Sequence, residues 1–514
     1  MMWHKFVETV LRDDEARFNL EVRCANTDDL TAWLYATVQL IFGHDALLAQ
    51  AWAESGAGKK ALVEPVLEQL SMLRWLEPGR FFDRRVAIPL QEVNLAVFHS
   101  GWYYLIPVSA STTLQELDAY ATSILAGPTE AGGGTVEAVL GQTPRRLQKS
   151  LREQLPAQTL EGLKALRSAP ILLNWSLQAS KQRLRDIRNG RRGGNDHPLV
   201  LFRTESSIVF DISHVMFDGV WAKRIVDVLT EVATQVERTA PVPATTPLKS
   251  LRLESGSNFP VPTRSSEVTA EATGIRLQAM QELRKRLAAQ GIKVTVNDFL
   301  IWARFVHARE YKPSARALAV LEQAGEKWAA QICKSWEQER RKPPSLMILV
   351  DVFKRDPRLR LYPMTIQSDG REELAALSAR LQQKIASARN GKSFATHAGQ
   401  LLVWTPPFLR PLSVWASEQL RPFQSRIQAD EVFSNLGSVG EHSSISRFTS
   451  ARGRVQSQTR VWGMVTTREG VLYVTLRDFQ PHVQHLSPKL AQTLTQDYLD
   501  AYTATVNRLI ERFS

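Results

Sequence analysis

A histidine followed at fixed spacing by an aspartate and a glycine is the strongest chemical signal in the sequence. The segment 214–219, HVMFDG, follows a strand-like run and precedes a helix-like run. Imidazole titrates near neutral pH, so His214 at a strand end can take a proton from an attacking hydroxyl, amine or thiol. Asp218 can fix the turn through hydrogen bonds or an arginine, and Gly219 permits a close backbone approach. A turn histidine with a capping aspartate is the alternative interpretation.

Length and composition exclude several protein classes. The chain has 514 residues, 44% hydrophobic and 23% charged, which is a globular mixture large enough for two or three domains. No uncharged apolar run reaches the length of a membrane span, and the first residues contain no signal core, so a cytoplasmic location is expected. Cys24 and Cys333 are far apart and predict neither a disulfide framework nor a metal site.

The charge balance is basic, with 64 Lys and Arg against 52 Asp and Glu, a net charge of +12. Such a balance suits nucleic acid, anionic lipid, a phosphorylated small molecule or simply a solvated surface. The densest group lies beside three glycines and predicts a solvated loop, although it could also meet a ligand's phosphates. No aromatic residues interleave this group, so nucleic acid is not an expected partner. Its members are Arg183, Arg185, Arg188, Arg191 and Arg192.

Two stretches have the composition of connectors. Residues 126–157 contain Gly-Gly-Gly and scattered Thr, Pro and Gln, and predict an inserted loop or crossover. Residues 239–273 contain five prolines among Ser, Thr and Gly, and predict a linker between domains at 1–238 and 274–514.

Local patterns predict strands and helices mixed throughout both halves, an α/β or α+β class with two sheets. Alternation predicts strands at 18–24 and 346–350, a strand pair within 93–108, and hairpins at 199–213 and 460–477. Capping signals predict helices after Asp28 or Asp29, after Thr295 with Asp298, and after Ser487-Pro488. Helical spacing predicts further helices at 220–232, 277–287 and 374–385.

Other catalytic motifs are absent from the sequence. The run 55–60, SGAGKK, lacks the first glycine, the hydroxyl residue and the preceding strand of a phosphate-binding loop. No HExxH, GxSxG or paired-cysteine site occurs, so no metal is expected.

The segment 214–219 resembles the HxxxDG motif of the chloramphenicol-acetyltransferase-like superfamily, which includes nonribosomal peptide condensation domains, wax ester/diacylglycerol acyltransferases and alcohol acetyltransferases. Further segments occur in the family's order. Residues 30–48, ending in HDALL, are similar to its first helix and that helix's exit. GIKVTVND at 291–298 is similar to a helix opening in the second domain, SNLG at 434–437 to an SNxG segment, and 460–477 to a late strand pair.

The resemblance implies two chloramphenicol-acetyltransferase-like sheet-and-helix domains in a V with a tunnel between them. It implies that His214 deprotonates an alcohol or amine acceptor, which attacks an acyl thioester without a covalent acyl-enzyme. Acyl-CoA or an acyl carrier protein is then a co-substrate, and no bound cofactor is expected. Asp218 is expected to hold the loop through a salt bridge, with Arg355 as a candidate partner.

The resemblance also implies an oxyanion site or tunnel wall at Ser434, Asn435 and Gly437. The alternatives remain open, because Ser-Asn-x-Gly is a common turn and Arg355 suits a solvated strand end. Asn297 and Asp298 are expected to cap a helix.

The sequence departs from the family pattern in three respects. Many members have two adjacent histidines, HHxxxDG, and this chain has Ser213 at the first of these positions. The second histidine is the catalytic one in the family, and His214 matches it. The plant-type DFGWG segment is absent, and the histidine comes late, which implies extra sequence in the first domain. Residues 49–92 and 126–195 fit the family poorly.

Three functions follow from these observations. The first is an acyltransferase that uses acyl-CoA, with a condensation-type enzyme served by a carrier protein as the alternative donor class. The second is a non-catalytic relative that binds an acyl chain or recruits a partner. The third is nucleic-acid binding driven by the net charge. The basic surface also suits peripheral contact with a membrane, although no amphipathic anchor is evident.

Overall fold

The computed structural model describes most of the chain in discontinuous ranges. They are 17–54, 73–78, 84–128, 134–143, 145–180, 182–188, 190–217, 219–237, 248–256, 260, 267–351, 361–390, 406, 409, 412, 429–438, 444–451, 459–480 and 485–512. By contacts the chain divides into two units, with the boundary along the chain between Thr263 and Arg264.

The first unit is built on a mixed sheet. Its strands are β1 (Arg17–Arg23), β4 (Asn94–His99), β5 (Trp102–Pro107), β6 (Ile171–Gln178), β7 (Leu199–Thr204), β8 (Ser207–Ser213) and β9 (Lys249–Leu251), and a separate hairpin pairs β2 (Arg74–Glu77) with β3 (Arg84–Ala87). Within this unit the sheet order is β1-β8-β7-β6-β4-β5-β9. The pairs β7–β6 and β6–β4 are parallel and the others are antiparallel.

Helices of the first unit begin where capping residues allow. Asp29 Oδ1 accepts the Ala32 N–H at 3.0 Å and opens α1, and Thr113 opens α2 with a capping box. The helices are α1 (Leu30–Glu54), α2 (Leu114–Leu125), α3 (Thr135–Gln142), α4 (Arg145–Arg152), α5 (Ala157–Leu166), α6 (Leu184–Arg188) and α7 (Gly219–Gln235).

The second unit is built on a six-stranded sheet. Its strands are β10 (Val268–Arg276), β11 (Leu346–Asp351), β12 (Leu361–Ile366), β13 (Glu431–Ser438), β15 (Arg460–Thr466) and β16 (Val471–Asp478), and β14 (Ile445–Thr449) lies between β13 and β15 in the chain. The order is β10-β16-β15-β13-β11-β12, with β15–β13 and β13–β11 parallel and the remaining pairs antiparallel.

Helices and the sheet of the second unit enclose a large apolar core. The last helix places Tyr498, Tyr502, Val506 and Leu509 in this core at helical spacing. The helices are α8 (Leu277–Ala289), α9 (Val296–Glu310), α10 (Ala315–Ala324), α11 (Glu326–Arg341), α12 (Leu374–Arg389) and α13 (Pro488–Arg512).

The two units share one sheet topology. The first order without its edge strand β9 becomes the second order when β1, β4, β5, β6, β7 and β8 are replaced in turn by β10, β11, β12, β13, β15 and β16. The parallel and antiparallel pairs are the same in both sheets. In both units the central parallel strand shifts register after an asparagine, Asn174 in β6 and Asn435 in β13. Each asparagine Oδ1 accepts the backbone N–H two residues later. The chain therefore contains an internal structural duplication.

The expected class, α/β with a sheet and helices in each half, is confirmed. The predicted V and tunnel concern the arrangement of the two units and stay a prediction. Among the described helices, none is both long and apolar enough to cross a membrane.

Most predicted elements are present, and two predictions about connections are wrong. Residues 126–157 are not an open connector, because α3 and α4 form there with buried apolar positions such as Val136 and Leu140. The helix from Leu30 does not exit after residue 48 but continues to Glu54, since HDALLAQAWAE contains good helix formers and no breaker. The boundary between the two units lies within the predicted 239–273 linker, and the ends of that stretch belong to sheets, as β9 pairs with β5 and β10 begins at Val268.

Candidate active site

His214 lies in a tight turn at the end of the buried strand β8. The Ser213 carbonyl accepts the backbone N–H groups of Met216 at 3.1 Å and Phe217 at 3.0 Å, which closes the turn. Val215, Met216 and Phe217 are buried, so their side chains anchor the turn in the core. The imidazole of His214 is half-buried and is therefore held at the margin of the packed core.

A hydrogen bond from the His214 ring to the backbone determines which ring nitrogen can act as a base. Its Nδ1 lies 3.0 Å from the backbone carbonyl oxygen of Phe217. A carbonyl oxygen only accepts, so Nδ1 must carry the proton and Nε2 keeps the lone pair of the neutral ring. The Phe18 ring meets the imidazole edge to face at 5.5 Å between centroids and further restricts its orientation.

A buried charge network holds β8 just before the histidine. Asp211 is fully buried and accepts from Arg17 Nε at 2.7 Å, Arg192 Nη1 at 3.0 Å and Asn19 Nδ2 at 3.0 Å. Burial alone would raise the pKa of Asp211, but the charges of Arg17, Arg192 and Arg188 outweigh burial and hold that pKa below its usual value. The carboxylate therefore stays ionised and ties β1 to β8.

The segment before β7 belongs to the same buried layer. Arg17 Nη1 donates to the His197 carbonyl at 2.7 Å, and the Ser213 N–H donates to the Pro198 carbonyl at 2.9 Å. Both oxygens of the Asp196 carboxylate accept a hydrogen bond from the Arg152 guanidinium, at 2.7 Å each. Burial opposes ionisation of Asp196, yet Arg152 and Arg167 lower its pKa to about 2.

His197 is buried and neutral beside this pair. Its Nδ1 donates to the Ala169 carbonyl at 2.7 Å. Burial lowers the pKa of His197 to about 4, against the opposing influence of its backbone hydrogen bond and Asp196. His197 is therefore a structural histidine, which distinguishes it from the half-buried His214.

The predicted solvated arginine loop is wrong for two of its five members. Arg188 and Arg192 are buried, at 4% and 1% exposed, and Arg188 ends α6. The buried carboxylate of Asp211 attracts both, which a single sequence does not reveal. These two side chains belong to the network beneath His214 rather than to a phosphate-binding surface.

Two predicted site residues lie outside the described residues. They are Asp218 and Arg355, so the expected salt bridge stays a prediction. Gly219 is described and opens α7 directly after the histidine turn.

The second unit carries the predicted SNxG segment at the central strand β13. Ser434 is buried, and Asn435 Oδ1 accepts the Gly437 N–H at 2.8 Å. Gly437 has φ +73°, a left-handed conformation that favours glycine and interrupts the pairing of β13 with β15. The segment is therefore an irregularity within strand β13 rather than a separate turn, and its oxyanion or tunnel role stays a prediction.

Basic side chains line a cavity of about 680 Å³ in the second unit. Arg284 and Lys285 come from α8 and Lys293 from the loop before α9. Arg284 Nε donates to the Val294 carbonyl at 3.0 Å, which fixes this loop against α8. The three cationic side chains make this cavity suited to phosphate groups.

The predicted capping box at the start of α9 is present. The Asp298 N–H donates to Thr295 Oγ1 and the Thr295 N–H donates to Asp298 Oδ2, at 3.0 Å each.

Sequence reasoning missed the buried ionic residues. Arg17, Asn19 and Asp211 occupy one face of paired strands, with Asn19 directly opposite Asp211. The available signal was a charged residue at the centre of an apolar strand run, Phe210-Asp211-Ile212. The second unit has a similar buried carboxylate at Glu431, the first residue of β13. It accepts hydrogen bonds from Arg304 Nη2 at 2.7 Å and Trp462 Nε1 at 2.7 Å.

No family model and no curated protein matches the chain. Solved structures with some similarity include the epimerization domain from the third module of tyrocidine synthetase B, with TM-score 0.39 and 10% identity over 99% of this chain and 96% of that one. F. sporotrichioides TRI101 complexed with coenzyme A and T-2 has TM-score 0.42 and 12% identity over 95% and 97%. The EpoB cyclization-docking bidomain from Sorangium cellulosum has TM-score 0.36 and 12% identity over 66% and 70%. Similarities of this size are too low to support a function.

Proposed function

We propose that the chain is an acyltransferase in which His214 is the general base. The observation that carries this proposal is the hydrogen bond of His214 Nδ1 to the Phe217 carbonyl, which leaves Nε2 as the basic nitrogen. The resemblance of the segment 214–219 to the HxxxDG motif is what favours acyl transfer over other uses of a histidine base, and the segment lies between β8 and α7 as that resemblance leads one to expect.

The proposed reaction needs no covalent intermediate on the protein. Nε2 of His214 takes the proton of an alcohol or amine while its oxygen or nitrogen attacks the thioester carbonyl carbon. The tetrahedral intermediate then collapses, the carbon–sulfur bond breaks, and the thiolate leaves with the proton from Nε2–H. Hydrogen-bond donors must stabilise the intermediate's oxyanion, and Ser434 and Asn435 are the proposed candidates.

The rigidity beneath His214 supports a catalytic rather than an incidental role. A general base works only when it is held within hydrogen-bond reach of its substrate. The closed turn, the Phe18 contact and the Asp211 network fix the backbone and the ring in one orientation.

The donor proposed here is an acyl-CoA, with the basic cavity of the second unit as its phosphate site. Arg284, Lys285 and Lys293 provide three cationic side chains at one cavity. A carrier-protein donor is the second candidate, because its phosphopantetheine arm carries the same thioester and also a phosphate. The same cavity favours it through charge alone, so the choice between the donors rests on assay.

The test is thiol release from acyl-CoA donors of two to eighteen carbons, with mixed alcohols and amines as acceptors. Release that requires an acceptor, together with a product of the mass of donor acyl group plus acceptor, supports the proposal. Transfer only from a carrier-loaded acyl group supports the second donor. Absence of transfer from both donor classes would contradict the acyltransferase assignment.

A further inference from the structure

A small polar cavity in the first unit lies outside the turn of His214. Its volume is about 290 Å³. The first turn of α3 forms one wall, and the segment that follows β9 forms another. Four charged side chains line it, namely Glu137, Glu254, Arg191 and Arg252.

Glu137 lines this cavity and has a buried carboxylate. The residue is only 4% exposed, and its Oε1 accepts the Tyr103 hydroxyl at 2.8 Å. Its Oε2 is buried and has no hydrogen-bond partner among the residues that the structure describes. Burial raises the pKa of Glu137, although a hydrogen bond from its own backbone N–H, the Tyr103 hydroxyl and the charge of Arg191 partly offset it. A buried acceptor without a donor is unusual and indicates a place for a ligand's N–H group.

Ring contacts orient the two arginines at the cavity. The Arg191 guanidinium lies over Phe98 at 4.9 Å from the ring centroid, and the Arg252 guanidinium lies over Trp102 at 5.1 Å. Gly134 allows Arg191 to approach the start of α3, since a Cβ there would lie 2.9 Å from Arg191 Nε. Each guanidinium carries several N–H donors in a planar array that suits a carboxylate.

The balance of charge selects the class of ligand. Two carboxylates and two guanidinium groups line the cavity. A zwitterion, which carries one positive and one negative group, therefore matches it better than a simple anion or cation. An ammonium group would supply the missing donor to Glu137, and a carboxylate would accept from the arginines. The volume admits a molecule of this size. We propose that this cavity binds a free α-amino acid, with its ammonium on Glu137 Oε2 and its carboxylate toward Arg191 and Arg252.

The test is isothermal titration of the full chain with each of the twenty free amino acids. At least one is expected to bind, and its N-acetyl and its amide derivative are each expected to bind on the order of tenfold more weakly, the loss of one charge-assisted contact. Inorganic phosphate or acetate that binds as tightly as the best amino acid would overturn the assignment. So would the absence of heat with all twenty at millimolar concentration.

Two variants locate the binding. Glu137→Gln keeps the shape and removes the charge, while Arg252→Met acts at the cavity wall away from the Tyr103 hydrogen bond. Each is expected to weaken binding on the order of tenfold, and circular dichroism checks that each is folded. Arg340→Met on α11 is the matched control and should bind normally. Unchanged affinity in a folded Glu137→Gln or Arg252→Met variant would contradict the proposal.

Discussion

Replacement of Asp211 by Asn tests whether the buried ion network holds the strand that carries His214. The carboxylate is fully buried and accepts from two arginines and one asparagine at 2.7–3.0 Å. Removing one partner of a buried ion pair costs about 3–5 kcal/mol, because the remaining charges lose their compensation. For a unit of this size that loss corresponds to a fall of about 10 °C in Tm.

The matched control carries the same substitution at a more exposed pair of the same unit. Asp227 accepts Lys223 Nζ at 2.6 Å on α7, with side chains 19% and 20% exposed. Asp227→Asn is expected to cost less than about 1 kcal/mol, since water screens the pair. Chemical unfolding followed by tryptophan fluorescence measures both variants. Equal losses of stability in Asp211→Asn and Asp227→Asn would refute the role assigned to the network.

Three further predictions follow from the described contacts. The pKa of His197 is about 4 in the folded protein against about 6.5 in the unfolded chain, so the free energy of unfolding falls by about 3 kcal/mol as the pH drops from 6.5 to 4. His197→Gln should flatten this pH dependence of the free energy of unfolding, and an unchanged dependence would contradict the prediction. Arg284→Ala and Lys293→Ala should raise the KM for acyl-CoA on the order of tenfold but not that for an N-acetylcysteamine thioester, which lacks phosphates; equal effects on both donors would exclude the cavity as phosphate site. Thr295→Ala should cost about 1 kcal/mol in chemical unfolding through loss of the capping box, and an unchanged midpoint would argue against that contribution.

Local elements were predictable because their signals are local. Alternation identified β1 and both hairpins, and Thr295 with Asp298 identified the start of α9. Asp29 and Ser487 likewise marked helix starts, as their side chains accept the N–H groups of Ala32 and Leu490. Such signals need only residues within one helical turn.

Two domains of one kind were expected only from the family resemblance, and the shared strand order was not visible in the local patterns of the sequence. It depends on parallel pairing between strands that are distant in the chain, such as β4 with β6 and β11 with β13. Apolar strands of similar composition do not specify which neighbour they pair with. The sequence also shows no short-period repeat that would indicate a duplication.

The candidate site was predictable in part. The motif identified His214 from its spacing, whereas its orientation depends on the Phe217 carbonyl. The supporting ion pair joins Arg17 to Asp211, 194 positions apart, and one sequence contains no information on such pairing. Arg188 and Arg192 were therefore assigned to solvent, although burial and Asp211 place them inside.

The most direct test of the central claim is the rate of acceptor-dependent acyl transfer in His214→Ala. With the best donor and acceptor pair, kcat/KM is expected to fall by about 10²–10⁴-fold, the contribution of a positioned general base. His485→Ala, at an exposed histidine of the second unit that stacks on Trp328, is the control and should retain the wild-type rate. A folded His214→Ala variant with the wild-type rate would contradict the account.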